Sequence, residues 1–368
     1  MKPSFIDLAR PQVRSMQPYQ AGKPVEQAQR ELGIDQFIKL ASNENPRGPS
    51  AAVLAAISKA GQDINRYPDA NGFYLKRSLA ELHDVDPQCI TLGCGSNDIL
   101  ELIASAYLDQ HCSAIFSQYA FLVYGLAIAR TGARAIEVPA LDYAHDLSAM
   151  TSAVCDDTRV IYLANPNNPT GTCASKDELL ALLEAVPSSV LVVLDEAYCE
   201  YIEDPDYPNG IVLQKKYPNL VVTRTFSKAF GLGGLRVGYS VSDPAIADAL
   251  NRVRQPFNVS SVSLMAAQAA LDDLAYLEAS VALNNLGMQQ FTRGFIDLGV
   301  QYIHSTANFV TIKAPYNAAL LNKDLLCKGV IVRPLANYRM ADYLRVSIGL
   351  EDENTFFLSA LAELLDTN

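Results

Sequence analysis

The stretch best suited to chemistry runs Thr223-Arg224-Thr225-Phe226-Ser227-Lys228-Ala229-Phe230-Gly231-Leu232-Gly233-Gly234-Leu235-Arg236. The apolar run Leu220-Val221-Val222 leads into it and predicts a buried strand. A lysine just beyond such a strand, among apolar and small residues, loses solvation. Its pKa then falls, and the neutral amine can attack a carbonyl to form a Schiff base. Taken alone, the same stretch also reads as a surface turn carrying ordinary cations.

The elements that must position this lysine follow a regular pattern. Strands are predicted at Cys89–Leu92, Ser113–Phe116, Ala135–Val138, Val160–Ala164, Val190–Leu194, Leu220–Thr223 and Val237–Val241. Helices are predicted between them over Ile99–Tyr107, Tyr124–Arg130 and Asp146–Val154, and from the capping box Ser175-Lys176-Asp177-Glu178. Strands alternating with helices imply a mostly parallel sheet covered on both faces, and the all-aliphatic Val190–Leu194 fits that burial. After about residue 260 the texture changes. A long helical region over 261–298 is followed by short strands at Asn308–Ile312, Val330–Arg333 and Tyr343–Ile348 and a helix over Glu353–Leu365. The expected fold is therefore α/β, a three-layer α/β/α large domain with a mostly parallel sheet plus a smaller α+β domain. The expected divisions are an arm over 1–30, a large domain over 31–260 and a small domain over 261–368.

In sheets of this kind ligands sit beyond the carboxyl ends of the strands. Gly95-Ser96-Asn97 stands there at a helix start, with Asn165-Pro166-Asn167-Asn168-Pro169-Thr170-Gly171 after the next relevant strand. Asp195-Glu196-Ala197-Tyr198 and Ser227-Lys228 complete the set.

Composition narrows the function classes. Hydrophobic residues make up 49% and charged residues 19% of 368, a globular balance. The formal net charge of -11 argues against a nucleic-acid surface. No stretch has the length of a membrane span. The seven cysteines include no Cys-x-x-Cys pair and are expected to be reduced and buried, in a cytoplasmic protein. The four histidines lack ligand spacing, so no metal site is expected.

Asn167-Asn168-Pro169-Thr170-Gly171, the Asp195/Tyr198 pair, Ser227-Lys228 and Gly234-Leu235-Arg236-Val237-Gly238, in that order, resemble the fold-type I aminotransferases of class I and II. The resemblance implies pyridoxal 5'-phosphate as cofactor and Lys228 as its covalent anchor and proton carrier. It implies Asp195 against the pyridine nitrogen, and Asn168 and Tyr198 on the ring hydroxyl. Ser96, Asn97, Ser227 and Arg236 would hold the phosphate, with Phe121 stacked on the ring where many relatives carry Tyr. Tyr67 would reach the site of the neighbouring subunit in a homodimer, and Arg345 would bind a substrate carboxylate.

Three further stretches, Pro18–Pro24 with Tyr19, Leu40–Pro46 and Arg66–Asp69, together with Arg333, narrow the resemblance to the histidinol-phosphate aminotransferases. That implies histidinol phosphate and glutamate or 2-oxoglutarate as small-molecule substrates, read by Tyr19, Asn168, Arg333 and Arg345. An aminotransferase of aromatic or other amino acids, and a decarboxylase of a phosphorylated amino acid, share the cofactor residues.

Overall fold

The computed structural model describes residues 4–16, 24–34 and 36–367. Seven strands form the main sheet, in the spatial order Ile90–Gly93, Gly238–Val241, Leu220–Thr225, Leu191–Asp195, Thr158–Ala164, Ser113–Ser117, Arg134–Val138. Only Gly238–Val241 runs antiparallel to its neighbours. The other pairings are parallel.

The strands are apolar on both faces, and alternate residues divide between two cores. Ile161, Leu163, Val192, Leu194 and Val222 enter one core. Val160, Tyr162, Leu191, Val193 and Val221 enter the other. A period of two with both sides apolar is what a sheet sandwiched between helices requires. Helices Ser96–Tyr107, Leu122–Thr131 and Pro244–Val253 cover one face with Ile99, Val123 and Leu250. Lys176–Ala185 and Ser261–Asp272 cover the other with Leu179, Leu182 and Ala266. The capping box of Lys176–Ala185 forms as expected: Ser175 accepts from the Glu178 amide while Glu178 accepts from the Ser175 amide.

A second sheet of four antiparallel strands runs in the order Arg333–Pro334, Tyr343–Ser347, Phe309–Lys313, Tyr302–Ile303. Its core gathers Phe291 and Phe295 from helix Leu274–Asp297 and Phe357 from helix Glu351–Thr367. Leu40 also packs there, because Ile38–Lys39 pairs in parallel with Val330–Ile331.

Local differences from the sequence reading have local causes. The strand expected over Val330–Arg333 is divided: Val330–Ile331 joins Ile38–Lys39, and Arg333–Pro334 joins Tyr343–Ser347. Helices Pro244–Val253 and Ala318–Cys327 were not anticipated. Their signals were Asp243 before a first-position proline and Asn317, each of which accepts from a backbone amide at the helix start. The expected burial of the cysteines fails. All seven are free, but only Cys112 is buried; Cys94 and Cys155 are exposed on loops and Cys327 at the end of helix Ala318–Cys327. Among the described residues, no helix is long and apolar enough to cross a membrane.

Candidate active site

Sheet register brings the chemistry to one edge. Ala164 pairs with Asp195, Asp195 with Thr223, and Thr225 with Gly238, which in turn pairs with Gly93. The strand-end loops therefore open onto one cavity. Every described residue given a site role in the sequence reading lines it except Tyr67.

Asp195 ends the central strand, buried. The Tyr124 hydroxyl donates to its Oδ2 at 2.9 Å and the Thr223 hydroxyl to its Oδ1 at 3.2 Å. Burial pushes the carboxyl up to about 6 in spite of these donors. The adjacent Glu196 turns away from the cavity and makes a buried ion pair with Arg224 at 2.7 Å.

Lys228 is held in the loop after Leu220–Thr225. Its Nζ lies 3.4 Å from the Ser42 carbonyl and 5.6 Å from the centre of the Tyr198 ring. Desolvation lowers its pKa to about 8, and the cations Arg345 and Arg236 add to the effect against Glu44 and Asp195. The amine thus gives up its proton far more readily than an exposed lysine, although it stays mostly protonated at neutral pH.

One corner of the cavity is built for an anion. Helix Ser96–Tyr107 starts there, so the Ser96 and Asn97 amides sit in a first turn with free donors and the positive end of the helix dipole. Arg236, in the left-handed region at φ 54, donates from Nη1 to the Ser227 hydroxyl at 3.1 Å and to the Gly233 carbonyl at 3.0 Å. Thr225 donates to Ser227 at 3.0 Å. Glycine keeps this corner open. A Cβ on Gly238 would stand 2.5 Å from the Ser96 nitrogen, and one on Gly95 would meet the Arg236 guanidinium. The donor set is that of a phosphate site.

Two further cations line the cavity from adjacent strands, in the register Arg333↔Arg345. Both are buried, at 9% and 6% exposure. Arg345 donates to Asn168 Oδ1 at 2.5 Å and to the Ala41 carbonyl at 2.8 Å, and lies over the Phe309 ring at 5.3 Å. Phe121 lines the cavity from the N-terminus of helix Leu122–Thr131, edge-on to Tyr124 at 6.0 Å.

Tyr67 stands elsewhere. It is 84% exposed and stacks on Phe257 with ring centres 4.7 Å apart. Tyr19 lies outside the described residues. Sequence reasoning missed Tyr124, Thr225, Ser42, Asn43 and Tyr338, all of which line the cavity. Tyr124 carried a signal, since it follows Phe121 by one helical turn on the same face.

Behind the cavity, Glu200 has an Oε2 sealed from water with no hydrogen-bond partner among the described residues. Burial pushes its carboxyl from 4.5 up to about 7, against the pull of Arg224. The folded chain thus holds this proton more tightly than the unfolded one. The stability contributed by the neutral carboxyl is complete below about pH 4.5 and is lost as pH rises through 7. Glu200→Gln should remove that dependence. Melting curves across this range should show the native protein losing about 3 °C relative to the variant, and parallel curves for the two proteins would contradict the assignment.

Comparison with known proteins agrees with this geometry. The family model "Aminotransferase class I and II" matches residues 35–361. Histidinol-phosphate aminotransferase 2 of Pseudomonas fluorescens is 54% identical, over 99% of each chain. Histidinol-phosphate aminotransferase 1 of Idiomarina loihiensis is 51% identical over 98% of each. Among solved structures, histidinol-phosphate aminotransferase from Sinorhizobium meliloti in complex with pyridoxal-5'-phosphate superposes with a TM-score of 0.89 at 30% identity, covering 97% of each chain. A Thermus thermophilus aspartate aminotransferase shares the fold, with a TM-score of 0.84 at 23% identity. With a buried lysine facing an anion cradle and a strand-end aspartate, and with a family match across nearly the whole chain, this protein belongs to the class I and II aminotransferases.

Proposed function

We propose that the chain is a pyridoxal 5'-phosphate-dependent histidinol-phosphate aminotransferase, passing an amino group between histidinol phosphate and 2-oxoglutarate. One observation carries the substrate reading: two buried guanidiniums, Arg333 and Arg345, paired on adjacent strands and lining the Lys228 cavity. Histidinol phosphate presents a phosphate and no carboxylate, whereas glutamate presents two carboxylates. A pocket with two cations serves both in alternating half-reactions.

The cavity fits the cofactor by the chemistry of its donors. When bound, the cofactor supplies a carbonyl carbon for the amine and a protonated ring that draws electrons from the substrate Cα. The chain's residues do the rest. Lys228 Nζ would anchor the cofactor and would carry the proton at the substrate Cα. Asp195, fixed by Tyr124 and Thr223, would pair with the protonated ring nitrogen. Asn168 and Tyr198 would hydrogen-bond the ring hydroxyl, and Phe121 would supply an aromatic face to the ring. Ser96, Asn97, Ser227 and Arg236 would hold the phosphate.

In this reading Tyr67 would serve the phosphate of a second copy in a homodimer, and Tyr19 would help to read the substrate. The arm then spans 1–30, the boundary expected at 260/261 moves past helix Ser261–Asp272, which packs on the main sheet, the segment Ile38–Leu40 joins the small domain, and the enzyme works in the cytoplasm.

Turnover of histidinol phosphate with 2-oxoglutarate, measured beside phenylalanine and aspartate, tests the reading. A kcat/KM for either amino acid above that for histidinol phosphate would replace it. Release of carbon dioxide would make the protein a decarboxylase.

A further inference from the structure

Three consecutive residues outside the catalytic loops each hold a different part of the site. The Ala41 carbonyl accepts from Arg345 at 2.8 Å, the Ser42 carbonyl from Lys228 at 3.4 Å, and the Asn43 side-chain amide donates to the Tyr198 hydroxyl at 2.9 Å. Asn43 is 1% exposed and sits in the left-handed region at φ 53. Its amide donates to the Ser347 hydroxyl at 2.8 Å, and that hydroxyl donates back to Asn43 Oδ1 at 3.1 Å. Its carbonyl accepts from Asn308 at 3.0 Å. Ser347 lies two residues beyond Arg345 on the strand Tyr343–Ser347.

The two groups that flank the ring hydroxyl are therefore tied to one strand by separate routes. Asn168 is held directly by Arg345, and Tyr198 is held through Asn43 and Ser347. We infer that Asn43 is a positioning residue that couples occupancy of Arg345 to the Lys228–Tyr198 end of the site. This rests on the proposed function, in which Arg345 reads the substrate anion. An anion drawn onto Arg345 shifts the strand. Ser347 and Asn43 carry that shift to the Tyr198 hydroxyl, whose ring centre lies 5.6 Å from Lys228 Nζ. A buried hydrogen-bond chain transmits displacement because breaking a link leaves a desolvated polar group.

The test uses the full-length holoenzyme and succinate, a dicarboxylate with no amino or keto group to react. The absorbance of the bound cofactor is titrated against pH with and without saturating succinate. In the native protein succinate neutralises Arg345 and is expected to raise the midpoint by about one unit. Asn43→Gly tolerates the left-handed backbone, and Ser347→Ala breaks the same link from the other side. Each variant is expected to retain no more than about half of the native succinate shift, while direct charge screening supplies the remainder. Each should also still bind the cofactor stoichiometrically, as read by absorbance. A native-sized shift in both variants overturns the coupling. A native protein that binds cofactor but shows no succinate shift overturns the reading of Arg345, and the coupling with it.

Discussion

Lys228→Ala lowers turnover by more than about 10⁴-fold, with the circular dichroism spectrum unchanged. Two losses combine in this variant: the covalent attachment of the cofactor and the amine that moves the proton at the substrate Cα. No other lysine lines the cavity among the described residues, so nothing stands ready to substitute. The same change carries a stability signature in the cofactor-free protein. Burial lowers the Lys228 pKa from 10.5 to about 8, so the unfolded chain binds this proton more tightly than the folded one. The native protein therefore gains stability as pH rises from about 8 to 10.5, and the variant loses that gain. Turnover within tenfold of native would remove Lys228 from the chemistry altogether.

Arg345→Ala is expected to reduce kcat/KM for both histidinol phosphate and glutamate by about 10²–10³-fold, the usual cost of losing a buried charge partner. Both substrates should suffer because both present an anion to the same guanidinium. Arg345→Lys should recover little of the loss, since an ammonium cannot offer two parallel donors to a carboxylate or phosphate. The mutation also takes the charged donor from Asn168 Oδ1, so kcat falls along with the rise in KM. Unchanged saturation by glutamate would sink the assignment.

Much of this was legible in the sequence because it is locally written. The central strand Leu191–Asp195 announces itself as an aliphatic run, and the residue that ends it is the one that enters the cavity. The lysine loop is framed by an apolar strand and by glycines. What escaped reading depends on partners far apart along the chain. Tyr124 looks like a core residue, stacked on Tyr162 with ring centres 5.1 Å apart, and only the fold shows its hydroxyl on Asp195. Asn43 sits in a polar turn whose meaning comes from Ser347, 304 positions away. Val330–Arg333 looks like one strand because an apolar run leads straight into the arginine, but two different neighbours claim its parts. Thiol exposure was misread because the cysteines were judged by neighbouring hydrophobicity, whereas Cys155 sits in a polar turn, its thiol donating to Asp157 at 3.1 Å.

The pairing of Ile38–Lys39 with Val330–Ile331 bears on how the protein is made. The first strand leaves the ribosome long before its partner exists, and Leu40 waits with it for a core supplied by the late helices and strands. The parallel sheet over residues 90–241 can assemble during synthesis from near neighbours, as domains generally do. The cavity cannot, because its wall at residues 41–43 is held by Arg345 and Ser347. A nascent chain halted before the strand Tyr343–Ser347 would carry a folded sheet with Lys228 in place and no closed pocket around it. Closure of the pocket by Arg333 and Arg345 then arrives as a late event of biosynthesis, after the residues of the lysine loop and the anion corner are already in place.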